Sequence, residues 1–99
     1  MPERRAQPRK SIVCRVEVEV LTEGAPVSKQ AGVLEDCSAG GAGISVAKPI
    51  AVGARVRVRQ KCWEAVGTVR QCRRESFGYF VGFQSETKMP AIVRHTNGR

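Results

Sequence analysis

The sequence predicts an all-β fold, a single small antiparallel barrel. Three observations predict it. Two stretches, 12–21 and 55–60, alternate apolar and polar residues with a period of two, the pattern of half-buried strands. Clusters of Gly, Pro, Ser and Asp punctuate the chain at short intervals, marking repeated reversals. Valine dominates the apolar residues of a 99-residue chain with only five aromatic residues, so β-branched aliphatic packing must build one modest core. Closing such short strands into a barrel protects edges that would otherwise pair with other chains.

The elements follow in order. Residues 1–11 are polar, with Arg4, Arg5, Arg9 and Lys10 and no hydrophobic period, and form a flexible arm. Pro8 disfavours helix at Gln7. Over 12–21, Cys14, Val16, Val18 and Val20 take one side of a strand and Arg15, Glu17 and Glu19 the other. Gly24-Ala25-Pro26 predicts a turn, and 30–36 a second strand around Ala31, Val33 and Leu34. The small residues between Asp36 and Gly43 predict a tight turn before a short strand at Ile44–Ala47. Pro49 and Gly53 bracket the next connection. Residues 55–60 form a strand with Arg55, Arg57 and Arg59 on a solvated face. Residues 63–73 make a longer strand, with Trp63 packing in the core or at the rim. A turn through Arg74-Glu75-Ser76 leads to the last strand, 77–84, which places Phe77, Tyr79, Val81 and Phe83 on one face. The barrel thus covers 12–84. The tail, 85–99, holds a short helix from about Pro90 to His95, with Pro90 at its start.

The formal charge is +8, from 17 basic and 9 acidic residues, and twelve of the basic residues are arginine. Guanidinium offers a planar fork of donors that matches phosphate and the Hoogsteen edge of guanine, so this excess suits an anionic partner. It equally serves simple solubility. Basic residues concentrate in 1–15 and 55–74, flanking an acidic middle segment. Cys14, Cys37, Cys62 and Cys72 form no C-x-x-C pair and His95 stands alone, which argues against a zinc site. Cys14 and Cys72 fall in strands as small buried hydrophobes. With no secretory leader and no apolar run of membrane-spanning length, the expected location is the cytoplasm, without membrane insertion. Nothing groups a nucleophile with a base and an orienting residue, and Glu17 and Glu19 alternate as solvated residues, so no enzyme is expected.

Two constellations carry chemistry. Arg5-Ala6-Gln7-Pro8-Arg9 is an R-x-x-x-R arrangement whose two guanidinium groups can swing onto one anion. Asp36-Cys37-Ser38-Ala39-Gly40-Gly41 is a D-x-S-x-x-G arrangement at a strand-to-strand turn. Its carboxylate can accept hydrogen bonds from the N1–H and N2–H₂ edge of guanine, its serine can add another, and Gly41 permits positive φ and close ligand approach. Each alone has an ordinary alternative: a chance arginine pair, or an Asx or Ser turn that stabilises the reversal.

Together and in this order, the two motifs resemble the PilZ domain family, whose ligand is cyclic di-GMP. The resemblance spans about residues 4–84 and includes the closing Phe80-Val81-Gly82-Phe83. It implies a six-stranded antiparallel barrel with the arginine arm folded across its ligand face. It implies that Arg5 and Arg9 bind phosphate and guanine, that Asp36 and Ser38 read guanine, and that Gly41 shapes the turn. Arg4 at its place implies a mutually intercalated ligand pair. The implied function is binding cyclic di-GMP and relaying it to a protein effector in motility, biofilm or polysaccharide control. No further cofactor is expected, and the chain is expected to be a monomer or weak dimer with no specific nucleic-acid target. The rivals are a basic barrel that binds nucleic acid nonspecifically, and a PilZ-like interaction module without ligand.

Overall fold

The computed structural model describes residues 10–90, with side chains from Cys14 onward. Six strands follow one another: β1 (Lys10–Thr22), β2 (Ala25–Ser38), β3 (Gly41–Val46), β4 (Arg55–Gln60), β5 (Trp63–Glu75) and β6 (Gly78–Ser85). They close into an antiparallel barrel in the order β1-β2-β3-β6-β5-β4, with β4 returning to β1. Among the described residues there is no helix. The segment proposed as a short helix lies, after Pro90, outside them.

The all-β expectation and the closed barrel are therefore correct, and β4 has its expected bounds. β1, β2, β3 and β5 are longer than their alternation signalled, and β6 keeps its length but starts one residue later, at Gly78. β2 begins at Ala25, because the chain reverses on Glu23-Gly24 alone, with φ of 54° and 82°. Two consecutive positive φ values make the tight hairpin whose twist matches the flanking strands. Ala25 and Pro26 are thus strand residues. At the other end β2 runs through Asp36 to Ser38, and only Ala39 and Gly40 make the turn. β5 likewise extends to Glu75, so Ser76 and Phe77 form the next reversal. Phe77 does not share the inward face of Tyr79, Val81 and Phe83. It is 96% exposed.

Among the described residues, seven of the sixteen buried hydrophobic ones are valine, including Val18, Val56, Val58, Val69 and Val81. Branching at Cβ suits the pleated inner surface and leaves little rotamer freedom to lose. Leu34 and Cys37 are fully covered, whereas Cys14 and Cys72, expected inside, are only half-buried. Burial pushes the Cys14 thiol above its ordinary pKa. Met89 closes one end: its backbone N–H donates to the Ala39 carbonyl at 2.8 Å, and the Ser85 N–H to that of Gly40 at 2.8 Å. No periodicity announced Met89, because it belongs to no strand.

The β1–β4 seam closes the barrel, and it contradicts the expected solvation of Glu19 and Arg57. Glu19 stands opposite Arg57 on β4 and Lys29 on β2. It is 5% exposed, with Arg57 donating to Oε1 at 2.7 Å and Arg59 to Oε2 at 3.3 Å. The residue alternates outward as expected, but long cationic side chains from the neighbouring strand cover it. The Arg57 hydrogen bond, aided by the charges of Arg57, Arg59 and Lys29, holds the Glu19 carboxyl below its ordinary pKa despite opposing burial. A carboxyl lowered in the folded state contributes stability that is complete above the unfolded value of about 4.3 and lost as pH falls through the folded value. Arg57→Met is therefore expected to lower Tm by several degrees at pH 7 and by much less once Glu19 is protonated. Thermal melts across pH 2–7 check this, and parallel curves for the two proteins would exclude the pair as the source.

Candidate functional site

The outer face of β2, β3, β6 and β5 is the candidate site. Strand register sets its layout. Asp36 pairs with Gly43, Gly43 with Gly82, and Gly82 with Gln71, a row across four strands. The next row runs Ser38, Gly41, Gln84 and Thr68. Two irregularities adjust these rows: the register shifts between Leu34 and Asp36 on β2, and between Val69 and Gln71 on β5. Each inserts a residue, Glu35 or Arg70, and such bulges re-aim side chains and bend the strand.

The result is a shallow cleft of about 410 Å³ bordered by Ser38 and Gly41 on one side and by Arg70, Gln71 and Gln84 on the other. Gly82 lies in its floor. The Arg70 guanidinium is held by a hydrogen bond from Nε to Gln84 Oε1 at 2.9 Å, which keeps a positive charge on the cleft wall. Next to the cleft, the Phe80 ring and Asp36 Oδ1 both border the space above Gly43, where a Cβ would come within 2.3 Å of the ring and 3.1 Å of the carboxylate. Arg73 stacks on the other part of this group, with Cζ 4.7 Å from the Phe80 centroid. An acceptor, a hydroxyl, an aromatic ring and two guanidinium groups thus share one face floored by glycine.

Asp36, Ser38 and Gly41 are brought together, but on paired strands and not within a turn. Gly41 also differs from its expected role. Its φ is not among the positive values; instead a Cβ there would meet the Phe83 carbonyl oxygen at 2.1 Å. Arg4, Arg5 and Arg9 lie outside the described residues. The place where their segment joins the barrel does not: Lys10 pairs with Cys37 and Ser11 with Asp36. Sequence reasoning missed Gly43, and it read Phe80 and Gly82 only as part of the closing strand, not as site residues. Arg70 and Arg73 carry no motif, and only the strand register brings them beside this face. The available signal was the run Phe80-Val81-Gly82-Phe83, where alternation places an aromatic and a glycine outward side by side.

Among the described residues no group of His, Cys, Asp or Glu is arranged to hold a metal ion, and no helix is long and apolar enough to cross a membrane. The fold and this glycine-floored polar face define a small β-barrel recognition domain. The PilZ domain model matches residues 3–99, and the chain belongs to the PilZ domain family. PilZ domains are binding and regulatory modules. Among solved structures, the chain is similar to the Bacillus subtilis inhibitor of motility MotI/DgrA, with a TM-score of 0.67 and 16% identity. That likeness covers 96% of this chain and 50% of the other, so this chain spans about half its length. At this identity the likeness concerns the fold. No curated protein matches the sequence.

Proposed function

We propose that this domain is a cyclic di-GMP receptor that acts by ordering its N-terminal arm and passing the change to a protein partner. One observation carries the reading: β1 is registered so that Lys10 and Ser11 lie beside Cys37 and Asp36, which roots the arginine arm at the D-x-S-x-x-G hairpin. Arg9 is one residue from that root. Arg5 is five residues from it, a reach of at most about 18 Å of extended chain. Family membership supports the ligand class.

In this reading Arg5 and Arg9 donate bidentate hydrogen bonds to phosphate and to guanine O6 and N7. Asp36 accepts from guanine N1–H and N2–H₂, an edge that adenine lacks. Ser38 adds a hydroxyl, Gly82 leaves room for a base to approach, and Gly41 lets β3 close against the Phe83 backbone and so shapes the hairpin. Arg70 adds charge from the opposite wall. Arg4 faces a second ligand of an intercalated pair. Binding neutralises arginines that otherwise repel one another, so the ligand favours the closed arm by the difference in its affinity for the two states.

Isothermal titration of the full chain with cyclic di-GMP tests the proposal. Saturable binding is expected, with cyclic di-AMP at least about tenfold weaker because it lacks the donors Asp36 reads. Equal binding of both dinucleotides would remove the guanine readout. The rival of nonspecific nucleic-acid binding loses support from the β4 arginines. Arg55 is paired with Glu86, Arg57 with Glu19, and Arg59 with Glu19 and Glu64, so this stripe is already engaged with carboxylates. A steep salt dependence with no preference among nucleotides would restore that rival.

A further inference from the structure

Phe77 sits at the tip of the β5–β6 hairpin, a place where two-residue turns favour small or polar residues. Its 96% exposure means that the ring packs on almost nothing in its own chain. With Arg15, Ala31, Val33 and Ala47 it lines a trough of about 360 Å³ on the outer surface. Arg15 and Ala31 also border a second cleft of about 480 Å³, together with Lys29, Arg59 and Lys61. Glu17 borders this cleft too, but faces Lys29 at 3.5 Å. Glu35, nearby on β2, accepts a hydrogen bond from Ser45 at 2.7 Å. Arg15 and Lys61 have no ion pair with any described residue. None of the residues bordering the trough borders the Ser38–Gly41 cleft.

An apolar trough leading to unpaired cations fits a particular occupant. It suits a segment with a large apolar side chain next to carboxylates. This chain's own terminal segments do not match: residues 1–9 hold three arginines and one glutamate, and residues 91–99 hold two arginines and no acidic residue. A second copy would bring +8 towards +8. We propose that the trough between Phe77 and Arg15 docks an acidic segment of another protein, anchored by an apolar side chain against Phe77 and Val33 and by carboxylates on Arg15 and Lys61. The proposal deepens the reading of this domain as a receptor that acts through a partner, and it gives that partner a chemistry. β3 links the two places, since Gly41 and Ala42 border the ligand cleft and Ser45 and Val46 the trough.

The test is an amide-shift titration of the full chain with a synthetic octapeptide of acidic residues around a central Leu-Phe pair, with and without cyclic di-GMP. Shifts are expected at and around Arg15, Ala31, Val33, Ala47 and Phe77. Phe77→Ser and Arg15→Glu should each weaken the peptide by about tenfold or more, as for anchors at the centre of an interface. Phe77 is fully exposed, so its replacement leaves the fold intact. No binding, shifts scattered over all basic residues, or equal binding of a peptide with Ser-Ser at its centre would overturn the proposal. So would a concentration-dependent dimer that Phe77→Ser abolishes, since a second copy would then be the occupant. Peptide binding without dinucleotide binding would sink the receptor reading and keep the docking site. The converse would sink the docking site alone.

Discussion

The double replacement Arg5→Ala, Arg9→Ala is expected to abolish measurable cyclic di-GMP binding while leaving the barrel's melting temperature unchanged. A hydrogen bond to a charged group contributes about 1.5–3 kcal/mol. Losing two such anchors removes about 3–6 kcal/mol, or about 10²- to 10⁴-fold in affinity. Stability should not follow, because both residues precede β1, which starts at Lys10. Asp36→Ala should have a smaller effect, about tenfold, since it removes base reading but leaves phosphate binding. Arg4→Ala should change the stoichiometry from two ligands to one. Calorimetry with a parallel thermal melt separates these outcomes. Retained affinity in the double variant would end the arm mechanism whatever the fate of Asp36.

The same contrast explains what the sequence makes legible. Period-two alternation identified β4 to the residue, because both faces of Arg55–Gln60 have a uniform character: Val56 and Val58 inward, arginines outward. It shortened β2, because Ala25–Gln30 lies almost wholly exposed and has no apolar face to announce it. Glu19 was misjudged for a related reason. Alternation tells which way a side chain points, not what leans over it from the next strand, and only the β1–β4 register brings Arg57 and Arg59 onto that carboxylate. At the site, Asp36, Ser38 and Gly41 were legible as a motif. Gly43, Gly82 and Arg70 were not, since their shared face arises from pairing of distant strands and from a bulge at Val69–Gln71. Phe77 was placed inward by extending the Tyr79–Phe83 alternation past a turn where alternation ceases to apply.

Glycine at the site has two separable uses, and they predict opposite behaviour. At Gly41 an added methyl would lie 2.1 Å from the Phe83 carbonyl oxygen and 3.2 Å from Gln84 Cα, all backbone of the adjacent strand. Backbone in a closed barrel cannot retreat without disturbing the β3–β6 ladder, one of the six seams that complete the ring. Overpacking usually costs about 1–3 kcal/mol, and a clash with an immobile ladder belongs at or above the upper end. For a domain of this size about 3 kcal/mol corresponds to a fall in Tm of at least about 12 °C. At Gly82 the nearest atom to an added methyl is Gln71 Cγ at 3.1 Å, part of a flexible side chain. That methyl can be accommodated, but it raises the cleft floor. Gly41→Ala is therefore expected to destabilise the whole barrel, and Gly82→Ala to fold normally yet bind cyclic di-GMP more weakly. Thermal melts and titrations of both variants decide it. If Gly41→Ala melts like the parent protein while losing ligand, the glycine serves the ligand alone and the ladder yields more than this geometry allows.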